Sequence, residues 1–193
     1  MKKTIGTRVV KEFASATPAR PTATRRLATS LLTIVAAFAL AGVACADPKK
    51  PASEKDGRFF DADGNPTYNV AADGKVDWPT YSGFQRYNAE CLRCHGPDGM
   101  GSSYAPALVD SLKTMDYGTF LATVAQGRKD LVNGQDKVMP MLGDDKNVMC
   151  YLDDIFTYLK ARSDEAIGRN RPPGHDSKSA SWQAAQDSCM GTS

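Results

Sequence analysis

Residues 91–95 read Cys91-Leu92-Arg93-Cys94-His95. Two thiols three positions apart, followed at once by an imidazole, form the attachment pattern of a c-type haem. The thiols add across the two vinyl groups on one porphyrin edge, and the next residue then brings its imidazole under the iron. Covalent tethering lets a short chain hold a large flat cofactor without a deep apolar pocket, so the ring itself becomes most of the core. One haem c is therefore the expected cofactor, bound through Cys91, Cys94 and His95.

The surrounding segments are consistent with such a core. A first helix is expected from about Thr80, after Trp78-Pro79, running into the motif, with Gly83, Phe84 and Tyr87 at helical spacing from Cys91. Gly83 permits close approach of another helix. After His95 the chain is rich in glycine (Gly96, Gly99, Gly101), as a backbone wrapped closely round a ring edge requires. A second helix capped by Asp116 or Thr119 should reach about Gln126 and stop at Gly127, with residues 128–134 as loop. A last long helix is expected from about Lys146 to Arg162, its stripe made by Val148, Tyr151, Leu152, Ile155, Phe156 and Leu159.

An iron that passes electrons without opening to substrates needs a ligand on each face. His95 is the first. Met139 is the expected second, in a loop far along the chain and followed by Pro140, which biases it toward an extended backbone. Met141 is the alternative; Met100 is too near the motif and Met149 falls within the helix. His175, the other histidine, sits in a polar tail and reads as a solvated surface residue. Pro106 is placed to offer a backbone carbonyl to the second ring N–H of His95, the arrangement that orients a metal-binding imidazole.

Length and charge set the wider frame. Of the 24 Lys/Arg and 22 Asp/Glu in 193 residues, seven and one fall within residues 1–46, leaving 17 and 21, a net of −4. The basic balance therefore belongs to the leader, and the rest is mildly acidic, which excludes the basic footprint of a nucleic-acid-binding protein. Residues 27–44 are an uncharged apolar run after Arg25-Arg26, ending at Ala44-Cys45-Ala46. This predicts an export signal over 1–46, cleaved after Ala46, and a periplasmic mature chain; an uncleaved anchor is the alternative. Cys45 leaves with the leader, since Gly42 suits a lipoprotein cysteine poorly. Four cysteines remain, and once two are assigned to haem, Cys150 and Cys189 read as a disulfide in an exported protein.

Residues 47–57 are polar and rich in Pro and Lys, and read as a flexible linker. Residues 58–77 should form a β-hairpin extension, Phe59-Phe60 and Tyr68-Asn69-Val70 flanking the turn Asp61-Ala62-Asp63-Gly64-Asn65-Pro66. Asp61, Asp63 and Asn65 faintly resemble a calcium loop, but Pro66 stands where that loop needs Gly. The tail, 163–193, is polar and Pro/Gly-rich until a short helix near Trp182 to Cys189, capped by Ser179 or Ser181.

The run Gly83-x-x-x-Tyr87-x-x-x-Cys91-x-x-Cys94-His95-Gly96, with Ala105-Pro106-x-Leu108 and Met139-Pro140 before a terminal helix, resembles the class I c-type cytochromes over roughly residues 78–162. The resemblance implies an all-α cytochrome c fold around one haem. Its first and last helices would cross closely, Gly83 and Tyr87 against Phe156 and Leu159. Trp78-Pro79-Thr80-Tyr81-x-Gly83, Cys94-His95-Gly96-Pro97-Asp98-Gly99-x-Gly101-Ser102-Ser103, Val148-Met149-Cys150-Tyr151-Leu152-Asp153-Asp154 and Asp187-Ser188-Cys189 are similar to a narrower, four-cysteine cytochrome family. That family is associated with methanol metabolism and PQQ-dependent alcohol dehydrogenases. The likeness implies an electron carrier that is not an enzyme, with such a dehydrogenase as donor and a cytochrome or oxidase as acceptor. A Cys150–Cys189 bond would close a loop of about 40 residues, worth roughly 4 kcal/mol in the chain-entropy model, and staple the tail to the last core helix.

Two rival readings are distinct. An open-haem enzyme or ligand sensor would require Met139 to stay off the iron. A zinc or dithiol site at Cys91 and Cys94 would need either a second Cys-x-x-Cys or a βαβ pattern, and the sequence has neither.

Overall fold

The computed structural model describes residues 51–132 and 134–192. The expected signal over 1–46 lies outside them, as do residues 47–50 of the expected linker. Among the described residues, no helix is long and apolar enough to cross a membrane.

Three short antiparallel strands come first, β1 (Ser53–Lys55), β2 (Arg58–Phe60) and β3 (Pro66–Thr67), in the order β1-β2-β3. Part of the stretch expected to be linker is thus a strand: Asp56 and Gly57, at φ 53° and 73°, fold β1 back on β2. β2 pairs with Pro66–Thr67, ahead of the Tyr68–Val70 segment expected as its partner. Asp61 makes the turn, its Oδ1 accepting from the backbone N–H of Asp63 (2.9 Å) and of Asn65 (2.8 Å).

Helix α1 (Trp78–Arg86) starts where Asp77 caps it: Oδ1 accepts from Thr80 N at 2.8 Å, and Pro79 occupies the first turn, where its missing N–H costs nothing. The other Asp77 oxygen accepts from Asn69 N at 2.6 Å, tying the helix start to the strand region. A widened π-helical turn, Tyr87–Cys91, follows; Leu92 N–H bonds to Tyr87 O, five residues back. Helix α2 (Leu92–His95) completes the segment.

Then come α3 (Leu108–Ser111) and α4 (Tyr117–Gln126). Asp116 caps α4, accepting from Thr119 N at 2.7 Å, and Gly127 ends it. Of residues 128–134, expected as loop, 128–132 form instead a strand, β4 (Arg128–Val132), paired with β5 (Gln135–Met139), in which Arg128 pairs with Met139 and Asp130 with Lys137. In sequence, Asn-Gly, here at 133–134, is the strongest short-range hairpin signal.

The single helix expected over 146–162 is two, α5 (Lys146–Met149) and α6 (Leu152–Ser163), with Tyr151 off the helical path at φ −116°, ψ 13°. No Gly or Pro marks this break. It falls where Cys150 is bonded to Cys189 of α7 (Ala180–Met190).

α1 crosses α6 at Gly83. A Cβ there would stand 1.8 Å from the Asp154 carbonyl oxygen and 2.9 Å from Tyr158 Cβ, so only glycine allows this approach. The Tyr87 and Tyr158 rings lie 5.5 Å apart. The partners on α6 are therefore Asp154 and Tyr158, where the family fold implies Phe156 and Leu159. Phe156 packs instead on Tyr117 and Phe120, with centroids 5.0 and 5.2 Å away, and Leu159 lines the cavity described below.

The tail is held along its length. Arg169 Nε (3.1 Å) and Asn170 N (2.9 Å) donate to Asp98; Val76 exchanges backbone bonds with Gly174 and Asp176; buried Trp182 donates its indole N–H to Asp154 at 3.2 Å. His175 is not simply solvated: its ring stacks on Tyr81 at 3.9 Å, beside Trp78, because the backbone bridge to Val76 lays it there.

Candidate functional site

Cys91, Cys94, His95, Pro106 and Met139 all line one cavity of about 770 Å³, within the ~300–1,000 Å³ range of small-molecule and cofactor sites. Leu108, Phe120, Val124, Val148, Leu152, Ile155 and Leu159 supply apolar wall from α3 to α6.

His95 is buried at the end of α2, its Nδ1 3.0 Å from the Pro106 carbonyl oxygen. A carbonyl only accepts, so Nδ1 carries a proton here, and the tautomer that results leaves the Nε2 lone pair for a metal when the ring is neutral. Glycines hold the two strands of this contact together. A Cβ on Gly96 would lie 2.2 Å from Gly101 O, and one on Gly101 would lie 2.7 Å from Ala107 N. Gly101 N–H bonds to His95 O at 2.8 Å, and Ser102 Oγ to Cys94 O at 2.5 Å.

Tyr87 fastens this loop to the helix crossing, a role that helical spacing did not disclose. Its hydroxyl donates to Gly96 O (2.5 Å) and accepts from Gly99 N (3.0 Å). Burial holds its phenol well above the usual tyrosine range, so it remains a donor. Burial first, then the Glu90 charge and Cys94, pushes the Cys91 thiol up to about 12. A thiol held that high is a poor dithiol-exchange nucleophile.

Met139 ends β5 rather than sitting in a loop. Its segment is fixed on both sides: Arg128 pairs with it across the hairpin, while Leu142 N and Gly143 N bond to Val124 O (3.1 Å) and Ala125 O (3.0 Å) at the end of α4. Met141 is 68% exposed and off the cavity wall, as are Met100 and Met149. Met115, not among the expected ligands, does line the wall. His175 and the Asp61 turn lie away from it. Among the described residues, no cluster of three or more His, Cys, Asp and Glu side chains could hold a metal ion.

The donor set suits a covalently attached porphyrin. It combines an apolar slab, two thiols on one wall, an imidazole with Nε2 free and a thioether.

Known proteins are similar to this chain in sequence and fold. The family model for cytochrome c oxidase, cbb3-type, subunit III matches residues 79–159. Cytochrome c-553I of Paracoccus denitrificans is 48% identical over 140 residues, 72% of this chain and 62% of that protein, so the chain spans less than two thirds of that relative. Cytochrome c-555 of Methylococcus capsulatus (Bath) is 38% identical over 93 residues, 48% of this chain and 69% of that protein. The crystal structure of c-type cytochrome XoxG from Methylobacterium extorquens AM1 matches with a TM-score of 0.68 at 50% identity, covering 74% of this chain and 87% of that one.

Proposed function

The chain belongs to the c-type cytochromes, electron carriers with covalently bound haem c, and on that premise we propose that Cys91 and Cys94 hold the ring while His95 and Met139 ligate its iron. The observation that carries this reading is the convergence of these four side chains on one cavity, with His95 oriented by Pro106. When bound, the haem supplies one reversibly exchanged electron. The protein's own work is to hold it. Pro106 keeps Nε2 of His95 aimed as a ligand, the α4 contacts keep Met139 in place, and the apolar wall excludes water, which with thioether ligation favours the ferrous state. With His95 and Met139 both bound to it, the iron would have no open position for a substrate.

The donor we propose is a PQQ-dependent methanol or alcohol dehydrogenase in the periplasm, with a further cytochrome or oxidase as acceptor. The likeness to the four-cysteine cytochromes of methanol metabolism and the export signal expected over 1–46 support it. A visible spectrum tests the ligation: the weak far-red band of Met–ferric ligation should be present and should vanish in Met139→Ala. Its survival would leave Met139 off the iron and favour another thioether on the wall. Stopped-flow mixing with a purified, reduced PQQ alcohol dehydrogenase tests the donor; no reduction on the turnover timescale excludes that enzyme and leaves the cytochrome intact.

A further inference from the structure

We infer that the β4–β5 hairpin is the seat of the haem propionates, with Lys137 as their principal partner and Arg128 as the second. The inference rests on the haem reading above. Among the described residues, the Asp, Glu, Lys and Arg side chains on the cavity wall are Arg128, Asp130, Asp136 and Lys137, all from this hairpin; apart from the imidazole of His95 the rest of the wall is made of apolar side chains, hydroxyls and thiols. A haem carries two carboxylates on one edge, and they cannot be left against apolar wall without counter-charge or water. The hairpin is the end of the cavity that can take them.

Strand pairing separates the charges into two faces. Arg128 sits opposite Met139 and Asp130 opposite Lys137, so these four share one face; Lys129, Leu131, Asp136 and Val138 share the other. Lys129 and Asp136 pair with each other at 2.9 Å, and Leu131 and Val138 are 72% and 65% exposed, so that second face is mainly solvent-facing, touching the cavity only at its rim through Asp136 and Val138, and the Asp136 charge is already met by Lys129. The face bearing Met139 is the inner one. On it Arg128 is already paired with Asp130 at 2.6 Å. Lys137 has no carboxylate partner among the described residues; its ammonium donates to the Ser103 carbonyl at 2.7 Å, which fixes its position and leaves its charge uncompensated. The inner face thus carries one net positive charge beside the ligand-bearing Met139, set for an anion.

A cation against the propionates also favours ferrous over ferric haem, so the pairing tunes potential. The test is a redox titration of purified holoprotein for wild type, Lys137→Gln and Lys129→Gln, with resonance Raman of the propionate bending modes. Lys137→Gln should lower the midpoint potential and shift the propionate band while leaving the far-red Met band in place. Lys129→Gln, an equal charge change on the outer face, should shift the potential far less and the band not at all. Equal shifts in both variants, or none in Lys137→Gln, overturn the inference. If Lys137→Gln does not mature, Arg128→Gln makes the same comparison against Lys129→Gln. A wild-type protein without a c-type haem spectrum would instead overturn the haem reading itself.

Discussion

Gly127 lies directly beneath Met139. A Cβ built on Gly127 would stand 2.7 Å from the Met139 carbonyl oxygen and 2.8 Å from Met141 N. The glycine also holds φ 73°, ψ 179°, a region other residues hardly enter. Gly127→Ala should therefore displace the Met139 segment, costing about 1–3 kcal/mol in strain. The far-red band and the thermal midpoint report this together. A variant that keeps the band at full intensity would show that Gly127 does not set the position of Met139.

Tyr87→Phe removes a hydroxyl that both donates and accepts inside the core. Gly96 O and Gly99 N would be left without it, at about 1–3 kcal/mol. Thermal unfolding followed at the main haem absorption band should show the lower midpoint. An unchanged melt would mean the loop after His95 is held sufficiently by its other ties, the glycine contacts and the bonds of Asp98 to Arg169 and Asn170.

Asp154 is fully buried, facing Arg58 Nη2 at 3.3 Å from β2, Trp182 Nε1 at 3.2 Å from α7 and the Ser82 side chain from α1, with Asp153 adjacent. Burial pushes its carboxyl up to about 7, and Arg58, Ser82 and Trp182 draw it partly back. The folded state thus holds its proton more tightly than the unfolded chain. The stability this contributes is complete below the unfolded value of about 4 and is lost as pH rises toward about 7. Denaturant unfolding at several pH values should show wild type losing ground to Asp154→Asn across that window and no further above it. A difference that grows in favour of wild type with rising pH would mean Arg58 keeps the carboxylate ionised.

Cys150 and Cys189 are 39 residues apart in sequence and bonded. The paired Ser variant should lose at most about 4 kcal/mol in the chain-entropy model. The other tethers of the tail, Asp98 to Arg169 and Trp182 to Asp154, remain. The haem spectrum should be unaltered and Trp182 fluorescence should still report a buried indole. A red-shifted, exposed Trp emission would make the disulfide the main restraint on α7.

The parts legible in the sequence were those with local chemistry. Asp116, Gly127 and Ser179 are helix signals that act within a few residues, and each stands at the end it marks. The β4–β5 hairpin was equally local in Asn133-Gly134, but the surrounding polar residues masked its alternation. The break at Cys150–Tyr151 has no local cause and comes with a bond to the far end of the chain. The same holds for the crossing. Gly83 was readable as a point of close approach, yet which α6 residues it meets depends on how α6 is rolled. Asp98 looked like part of a glycine-rich wrap, and nothing near it in sequence indicates that Arg169 and Asn170 come back to it.

The widened turn Tyr87–Cys91 acts as an indexing step between two halves of what would otherwise be one continuous helix. A π turn holds one residue more than an α turn, and each helical residue rotates the following chain by about 100°. The half before it is aligned to α6 through Gly83, and the half after it is aligned to the cavity through Cys94 and His95. These two alignments are out of phase on a regular helix, and the extra residue reconciles them. Excising Ala89 would leave the crossing intact while swinging His95 about 100° around the axis, away from Pro106. The anchor motif is thus read in the right orientation only because the helix that delivers it is one residue too long.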